Sequence, residues 1–181
     1  MRSDEELMEA YVGGDTAAFS ELFERYGPML LRIMRRQLRE DDAQELVQQT
    51  FLQMHRARND FDTGRKLRPW LMTIAYNLKR ELFRRRGRKP EAALEVEPEA
   101  EDKGDIVERK SEATRLRRAL ATLPDGQREV IEMHWFEELS FPEVAEILGL
   151  STSAVKVRAH RGYKMLRASL EKDVTGSKDS A

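Results

Sequence analysis

The chain has 181 residues, of which 40% are hydrophobic, so it can form one domain or two small ones and is too apolar for wholesale disorder. It contains no cysteine, which excludes disulfide bonds, thiol catalysis and cysteine-based zinc sites. Its 32 basic and 33 acidic residues nearly balance, but the two signs are segregated along the chain, so the small net charge does not exclude a nucleic-acid partner.

Helical spacing of apolar residues characterises the first half of the chain. The first predicted helix is expected to break or kink at Gly27 and Pro28. Its apolar series is Phe19, Leu22, Phe23, Tyr26, Leu30 and Ile33. Asp41 or Asp42 is expected to cap a second helix that runs to about Arg58. The apolar side of this helix comprises Val47, Phe51 and Met54.

A third helix follows Pro69, which suits the first turn of a helix. It carries the apolar residues Trp70, Leu71, Ile74, Leu78 and Leu82. Residues 79–89, KRELFRRRGRK, are then strongly basic, whereas the charged residues of 91–108 are all acidic apart from Lys103. We therefore predict a flexible acidic linker over 91–110, between an N-terminal domain (1–90) and a C-terminal domain (111–172). Residues 173–181 have the composition of a disordered tail.

The C-terminal domain opens with two predicted helices, from about Ser111 to Leu123 and from Gln127 to Phe136. A Pro124-Asp125-Gly126 turn separates them. Strand signals are nearly absent from both domains. The predicted fold is therefore all-α, with two small helical domains joined by the linker.

The segment LSFPEVAEILGLSTSAVKVRAHRGYKMLRASL, residues 139–170, predicts a helix-turn-helix. Ser140, with Glu143 three residues later, predicts a capped helix, and Gly149 supplies the left-handed residue that ends it. Ser151 or Thr152 is expected to cap the next helix. The motif needs a small residue where its helices cross, a glycine at the turn and an apolar plug in the second helix. The residues that meet these needs are Ala145, Gly149 and Val155.

The second helix of this motif is basic on the side away from its predicted buried residues. The residues expected to contact DNA are Ser153, Lys156, Val157, Arg158, His160, Arg161 and Lys164. Arg161 has the reach to bond a guanine edge, and Val157 offers apolar contact, for example to a thymine methyl group. The other basic residues are expected to bind phosphate, and the competing interpretation is a solvated charged face.

Three ordered segments, DDAQELVQQTFLQMHRAR, RPWLMTIAYNLKRELFRRRGR and the helix-turn-helix, resemble RNA polymerase sigma factors of the extracytoplasmic-function group. The resemblance covers nearly the whole chain outside the linker and tail. It implies a chain that binds RNA polymerase core and directs it to promoter DNA. The domain 1–90 would bind core and the minus-ten element, and the domain 111–172 would bind the minus-thirty-five element. A dedicated anti-sigma factor is also implied as a partner.

The resemblance further implies which residues contact the polymerase. In the family, the first segment docks on the clamp helices of the largest polymerase subunit. Here four residues fall at i, i+3, i+4 and i+7 of the second predicted helix, opposite its apolar side. They are Glu45, Gln48, Gln49 and Leu52. With Asp42 they form the predicted core-binding surface, although the family usually has an acidic residue at the position of Gln49.

In the family, the loop before the third helix holds one flipped base of the minus-ten element. This loop corresponds to the residues that we name the recognition loop, Asp62, Thr63, Gly64, Arg65 and Lys66. Gly64 is equally well interpreted as a turn residue only. On the following helix, Asn77 matches a common family residue, and Tyr76 replaces a more usual basic one and is a candidate to stack on a base. Trp70 is expected in the core. The residues expected to follow the DNA backbone are Arg80, Arg84, Arg85 and Arg86.

Other function classes find little support in the sequence. No glycine-rich phosphate loop follows a strand and no serine or histidine triad is present, so we expect no catalytic residues and no enzyme. The three histidines are too far apart for a local metal motif, and we expect no metal and no cofactor. No apolar run approaches the roughly 20 residues that cross a bilayer, so we expect a cytoplasmic chain without membrane insertion. The chief rival is a two-domain helix-turn-helix regulator that acts without core polymerase.

Overall fold

The computed structural model describes residues 2–87 and 106–176, with side chains over 2–87 and 113–171. The first range contains α1 (Asp4–Val12), α2 (Thr16–Arg35), α3 (Glu40–Arg56) and α4 (Leu67–Arg86), with a 3-10 turn, Arg58–Asp60, after α3. The second range contains α5 (Ile106–Ala121), α6 (Asp125–Trp135), α7 (Phe141–Leu148) and α8 (Thr152–Gly176). These described residues include no strand, and the predicted all-α fold is confirmed.

The chain divides into two units, Met1–Val96 and Glu97–Ala181. Most of the predicted linker lies outside the described residues, but α5 already begins at Ile106, earlier than the predicted start near Ser111. At the other end, α8 continues to Gly176 and so enters the segment predicted as a tail, whose last residues also lie outside the described range. No helix in the part that the structure describes is long and apolar enough to cross a membrane.

The first helix, α1, has no counterpart among the predicted helices. Ser3 caps it through a reciprocal pair of hydrogen bonds, in which the Glu6 amide donates to the Ser3 hydroxyl and the Ser3 amide donates to the Glu6 carboxylate. Leu7 and Met8 are fully buried and attach α1 to the rest of the unit. The sequence signal for this helix was present, because Ser-x-x-Glu is the pattern of a capping box.

The helix α2 runs without a break through Gly27 and Pro28, so the predicted break is wrong. Proline cannot donate to the carbonyl of Glu24, but both residues are exposed, so water can satisfy that carbonyl. On the buried side, Leu22 and Leu30 are fully buried before and after the proline. Apolar packing against α1 and α3 therefore outweighs the one missing hydrogen bond.

The helix α3 begins at Glu40, so neither Asp41 nor Asp42 is its cap. Both lie inside the first turn, where a negative charge interacts favourably with the positive end of the helix dipole. The preceding residue, Arg39, makes no side-chain capping bond. The predicted buried side, which includes Phe51 and Met54, is confirmed.

The buried face of α4 differs from the one that its apolar residues suggest. Leu71 is fully buried, but the other apolar residues named above are only half-buried, namely Trp70, Ile74, Leu78 and Leu82. The most buried face instead runs through Met72, Ala75, Tyr76 and Lys79. One residue along a helix corresponds to about 100°, so the observed buried face is rotated by roughly a quarter-turn from the line of Leu71, Ile74, Leu78 and Leu82.

In the second unit, α5, α6 and α8 share an apolar cluster. Its buried members are Leu120, Leu123 and Ile131, and Leu116, Tyr163 and Leu166 pack against them. The helix α6 begins at Asp125, with Pro124 as its N-terminal flanking residue. Asp125 and Gly126, which were predicted to lie in the turn, therefore belong to the helix. This arrangement leaves α7 and the first half of α8 to form the helix-turn-helix.

Candidate nucleic-acid and protein interfaces

The turn between α7 and α8 has the predicted geometry. The Ser140 hydroxyl accepts from the Glu143 amide, and the Glu143 carboxylate accepts from the Ser140 amide, so the capping box at the start of α7 is confirmed. Gly149 ends α7 with φ of 64°, the left-handed conformation that glycine adopts most easily. The Ser151 hydroxyl accepts from the Ala154 amide at 3.2 Å, so Ser151 rather than Thr152 caps α8. Ala145 and Val155 are buried where the motif requires them.

The helix α8 separates a buried face from an outward face. Val155 and Ala159 are buried, and Gly162 is buried against Ile131 and Gln127 of α6. Its exposed predicted DNA contacts are Ser153, Lys156, Val157, His160, Arg161 and Lys164. We name these six residues the α8 outward face. Val157 is 49% exposed, so its methyl groups are available for apolar contact with a base.

Arg158 stands apart from the α8 outward face. It is half-buried, and a Cβ placed on Gly126 would lie 3.1 Å from its guanidinium group. Arg158 therefore packs against the start of α6. This position agrees with the expectation that Arg158 does not read base edges.

A glycine allows α8 to approach α6 closely. Gly162 is buried, and a Cβ there would lie 2.7 Å from Cδ1 of Ile131 and 3.3 Å from Cβ of Gln127. Real Cβ atoms do not approach other carbon atoms as closely as the first of these distances. The position of the α8 outward face relative to the rest of the unit therefore depends on the missing side chain at position 162.

We name Glu45, Gln48, Gln49 and Leu52 the α3 stripe, and all four are exposed, as predicted. Asp42, which the sequence places beside it, is engaged within the unit instead, because the Arg86 guanidinium donates two hydrogen bonds to its carboxylate, at 2.5 and 2.7 Å. These bonds raise the pKa of Arg86, with a further contribution from the charge of Asp42. The ion pair joins a predicted polymerase contact on α3 to a predicted DNA contact on α4.

Exposed apolar side chains are also present on α2 and α3. Phe23 of α2, which its helical spacing suggests for the core, is 44% exposed, and its ring packs at a tilted angle on Phe51 of α3 with ring centroids 4.7 Å apart. Leu52 of the stripe is 41% exposed. The candidate protein interface therefore combines polar and apolar side chains.

The recognition loop is exposed, and its shape is set by its own residues and by its two ends. The Asp62 carboxylate accepts from the Gly64 amide at 2.9 Å, and the Arg65 amide donates to the Asp62 carbonyl at 2.9 Å. Before the loop, Phe61 is buried and packs on Trp70 of α4, with ring centroids 5.0 Å apart. Gly64 thus takes part in a turn, and Asp62 has a structural task in addition to any contact with DNA.

Tyr76 is buried, so the expectation that it stacks on a base is wrong. Its side chain is only 1% exposed, and the Lys79 ammonium group lies 4.1 Å from its ring centroid. Lys79 is itself buried and donates to the Gln37 side chain at 3.3 Å. Tyr76 belongs to the face of α4 that packs on the rest of the unit, which the apolar spacing of the helix did not identify.

The other predicted DNA contacts on α4 remain accessible. Asn77 and Arg84 are exposed, and Arg80 is half-buried. The Arg80 guanidinium donates to the Asn77 side-chain oxygen at 2.7 Å, which orients both groups on one side of the helix. Asn77, Arg80 and Arg84 follow one another at helical spacing, as a row of backbone contacts requires.

One residue with a bearing on this site was not identified from the sequence. Glu5 of α1 accepts a hydrogen bond at 3.0 Å from the backbone amide of Leu67, the first residue of α4. No local pattern signals this contact, because the two residues are 62 positions apart. Only the tertiary structure brings α1 to the end of the recognition loop.

Comparison with known families identifies both units. Residues 22–89 match the family model described as sigma-70 region 2, and residues 113–166 match the model described as sigma-70, region 4. The first match contains the α3 stripe, the recognition loop and α4. The second contains the helix-turn-helix. The two matched ranges together account for more than half of the chain.

Individual relatives agree with this result over almost the whole length. The chain is 34% identical to the RNA polymerase sigma factor CarQ of Myxococcus xanthus, over 88% of this chain and 93% of the relative. It is 34% identical to the ECF RNA polymerase sigma factor SigM of Mycobacterium tuberculosis strain H37Rv, over 91% of this chain and 83% of the relative. The solved structure of CnrH in complex with the cytosolic domain of CnrY superposes with a TM-score of 0.73 at 32% identity, covering 95% of this chain and 99% of CnrH. The chain belongs to the extracytoplasmic-function group of sigma-70 RNA polymerase sigma factors, and it is an alternative sigma factor that directs promoter-specific transcription.

Proposed function

We propose a division of labour between the two units. Residues 1–90 bind RNA polymerase core and the minus-ten element, and residues 111–172 bind the minus-thirty-five element. The family matches over 22–89 and 113–166 support these two domains. The protein acts in the cytoplasm and contributes specificity and strand opening to the polymerase without catalysing a reaction itself.

The proposed contact with the clamp helices of the largest polymerase subunit is the α3 stripe. It supplies one carboxylate, two amides and one leucine on a surface whose opposite side is buried. We include in this proposed surface the exposed ring of Phe23, which packs on Phe51 of α3. Asp42 contributes through its ion pair with Arg86, which holds the start of α3 against the end of α4.

The proposed contacts with the minus-ten element are the recognition loop and the exposed residues Asn77, Arg80 and Arg84 of α4. The loop is polar and basic, which suits a single strand of DNA. Tyr76 has no part in this contact, because it is buried.

The proposed reader of the minus-thirty-five element is the α8 outward face. The observation that carries this proposal is the separation of two arginines on one helix: Arg161 is exposed beside Val157, whereas Arg158 packs against Gly126. Arg161 therefore supplies the base-specific contact, and Lys164 and Arg158 bind phosphate.

A promoter library with every minus-thirty-five base varied tests this division. Arg161→Ala holoenzyme should lose roughly 1–3 kcal/mol of discrimination at one base pair, because a bidentate contact with guanine is lost. Lys164→Ala holoenzyme should bind all promoters more weakly by a similar factor and should show a shallower salt dependence. If Arg161→Ala weakens every promoter equally and keeps the preferred bases, the assignment of Arg161 as the reader is wrong.

An anti-sigma factor is the proposed inhibitor. The support for it is the relative CnrH, whose structure was solved in complex with the cytosolic domain of CnrY. An inhibitor of this kind is expected to cover the α3 stripe and so to compete with core polymerase.

A further inference from the structure

Glu5 connects α1 to the point where the recognition loop ends and α4 begins. Its Oε1 accepts from the Leu67 amide at 3.0 Å, and the contact is partly buried. The first amides of a helix have no partner within the helix and need an acceptor from elsewhere. Lys66, which precedes α4, makes no side-chain capping bond. Glu5 therefore performs from another helix the task that a capping side chain usually performs locally.

The same short helix also holds the segment that leads into the loop. The Tyr11 hydroxyl forms a hydrogen bond with Nδ1 of His55, in the last turn of α3 and just before the turn Arg58–Asp60. Glu5 and Tyr11 lie about 9 Å apart along α1, at ~1.5 Å per residue. The helices on either side of the recognition loop, α3 and α4, are thus both bonded to α1, while residues 62–66 of the loop are exposed.

The charge of Glu5 makes this arrangement informative. A carboxylate near a loop that binds DNA repels phosphate groups and opposes binding. If electrostatics alone decided the outcome, removal of this charge would strengthen the contact with DNA. A lower affinity for DNA on removal of the Glu5 carboxylate would be the opposite of this electrostatic effect. It would show that Glu5 acts by holding the loop in place.

We propose that Glu5 is a positioning residue for minus-ten recognition, and that α1 holds the recognition loop in the shape that captures an unpaired base. This inference rests on the proposed function of the recognition loop. Glu5 does not contact the DNA itself. It acts through the Leu67 amide, and Tyr11 provides the second attachment through His55.

The test uses full-length variants assembled into holoenzyme, and it measures binding to a single-stranded oligonucleotide that carries the mapped minus-ten element. Glu5→Ala should lower the affinity for this oligonucleotide, relative to a scrambled one, by about fivefold, the factor that corresponds to the loss of a typical helix cap. Glu5→Gln keeps an acceptor oxygen in the same place and should restore most of the lost affinity. Core affinity and minus-thirty-five preference should not change.

Two further variants separate positioning from general damage to the fold. Glu9→Ala removes an exposed carboxylate from the same helix and should leave affinity for the oligonucleotide unchanged. Tyr11→Phe removes only the hydroxyl group that bonds His55, keeps the ring that packs on Phe19, and should lower the affinity in the same direction as Glu5→Ala. An equal loss in Glu5→Ala and Glu5→Gln, or a parallel loss of core binding, would overturn the proposal.

A double substitution in the loop, Arg65→Ala with Lys66→Ala, distinguishes the positioning role of Glu5 from the proposed function of the recognition loop. If this double variant binds the minus-ten oligonucleotide as the unsubstituted protein does, the loop does not recognise the minus-ten element and its proposed function is wrong. If the double variant alters this binding and Glu5→Ala does not, only the positioning role of Glu5 fails.

Discussion

The contact between α8 and α6 at Gly162 allows a quantitative prediction for Gly162→Ala. Alanine favours a helix over glycine by about 1 kcal/mol, which would stabilise α8. The new methyl group, however, would lie 2.7 Å from Cδ1 of Ile131, a side chain that is 2% exposed and has little room to move. Overpacking of this kind costs about 1–3 kcal/mol. We therefore expect Gly162→Ala to lower the free energy of unfolding of the C-terminal unit by about 1 kcal/mol.

A double-mutant cycle with Ile131→Val isolates this clash. Valine lacks Cδ1, so the nearest remaining atom of that side chain is Cγ1, at an ordinary contact distance of 3.5 Å. Ile131→Val alone should cost about 0.5–1.5 kcal/mol. In that background Gly162→Ala should be neutral or stabilising, which gives a coupling energy of about 1–2 kcal/mol.

Urea denaturation followed by tryptophan fluorescence measures these free energies. The chain has two tryptophans, Trp70 and Trp135, one in each unit, so a Trp70→Phe background reports on the C-terminal unit alone. Ala168→Gly, at an exposed position of α8, calibrates the helix propensity in the same helix and should cost about 1 kcal/mol. If Gly162→Ala stabilises the unit by the full propensity difference and Ile131→Val does not alter that effect, α8 does not pack on α6 as described.

Two further predictions concern the polymerase contact and the turn motif. Glu45→Lys combined with Gln48→Ala should weaken core binding without loss of helicity, because both side chains are exposed. The control is Glu24→Lys, an exposed charge reversal on α2. Unchanged core affinity in the double variant would mean that the α3 stripe is not the contact. Ser140→Ala should lower the free energy of unfolding of the C-terminal unit by about 1 kcal/mol, because α7 loses its capping box. Ser140→Asp should recover most of this lost stability, because aspartate is also a good N-cap residue. Equal stability of the unsubstituted protein and both variants in urea denaturation would contradict this role of Ser140.

Local signals were sufficient to predict the helix-turn-helix. Its caps, its turn glycine and its buried small residues depend on neighbours within a few positions, and each of these features is visible in the sequence. The exposed α3 stripe could be predicted for the same reason, since helical periodicity alone separates it from the buried side of α3.

Features that depend on tertiary contacts were predicted less well. The pattern of apolar residues did not identify the buried face of α4, because that face includes Tyr76 and the buried Lys79, whose ammonium group is held by the Tyr76 ring and the Gln37 side chain. Pro28 suggested a break in α2 because local rules do not include the packing that keeps the helix continuous. The bond between Glu5 and Leu67 had no sequence signal, since its partners are 62 positions apart.

In vitro transcription with purified core polymerase tests the central claim most directly. Core enzyme with the protein should initiate at a small set of defined start sites on a genome-wide template library, and these sites should share a minus-ten and a minus-thirty-five element. A protein with Glu45→Lys and Gln48→Ala should lose this activity, whereas Arg161→Ala should change which minus-thirty-five elements are used. Initiation that is no more specific with the protein than with core enzyme alone would contradict the assignment as an alternative sigma factor.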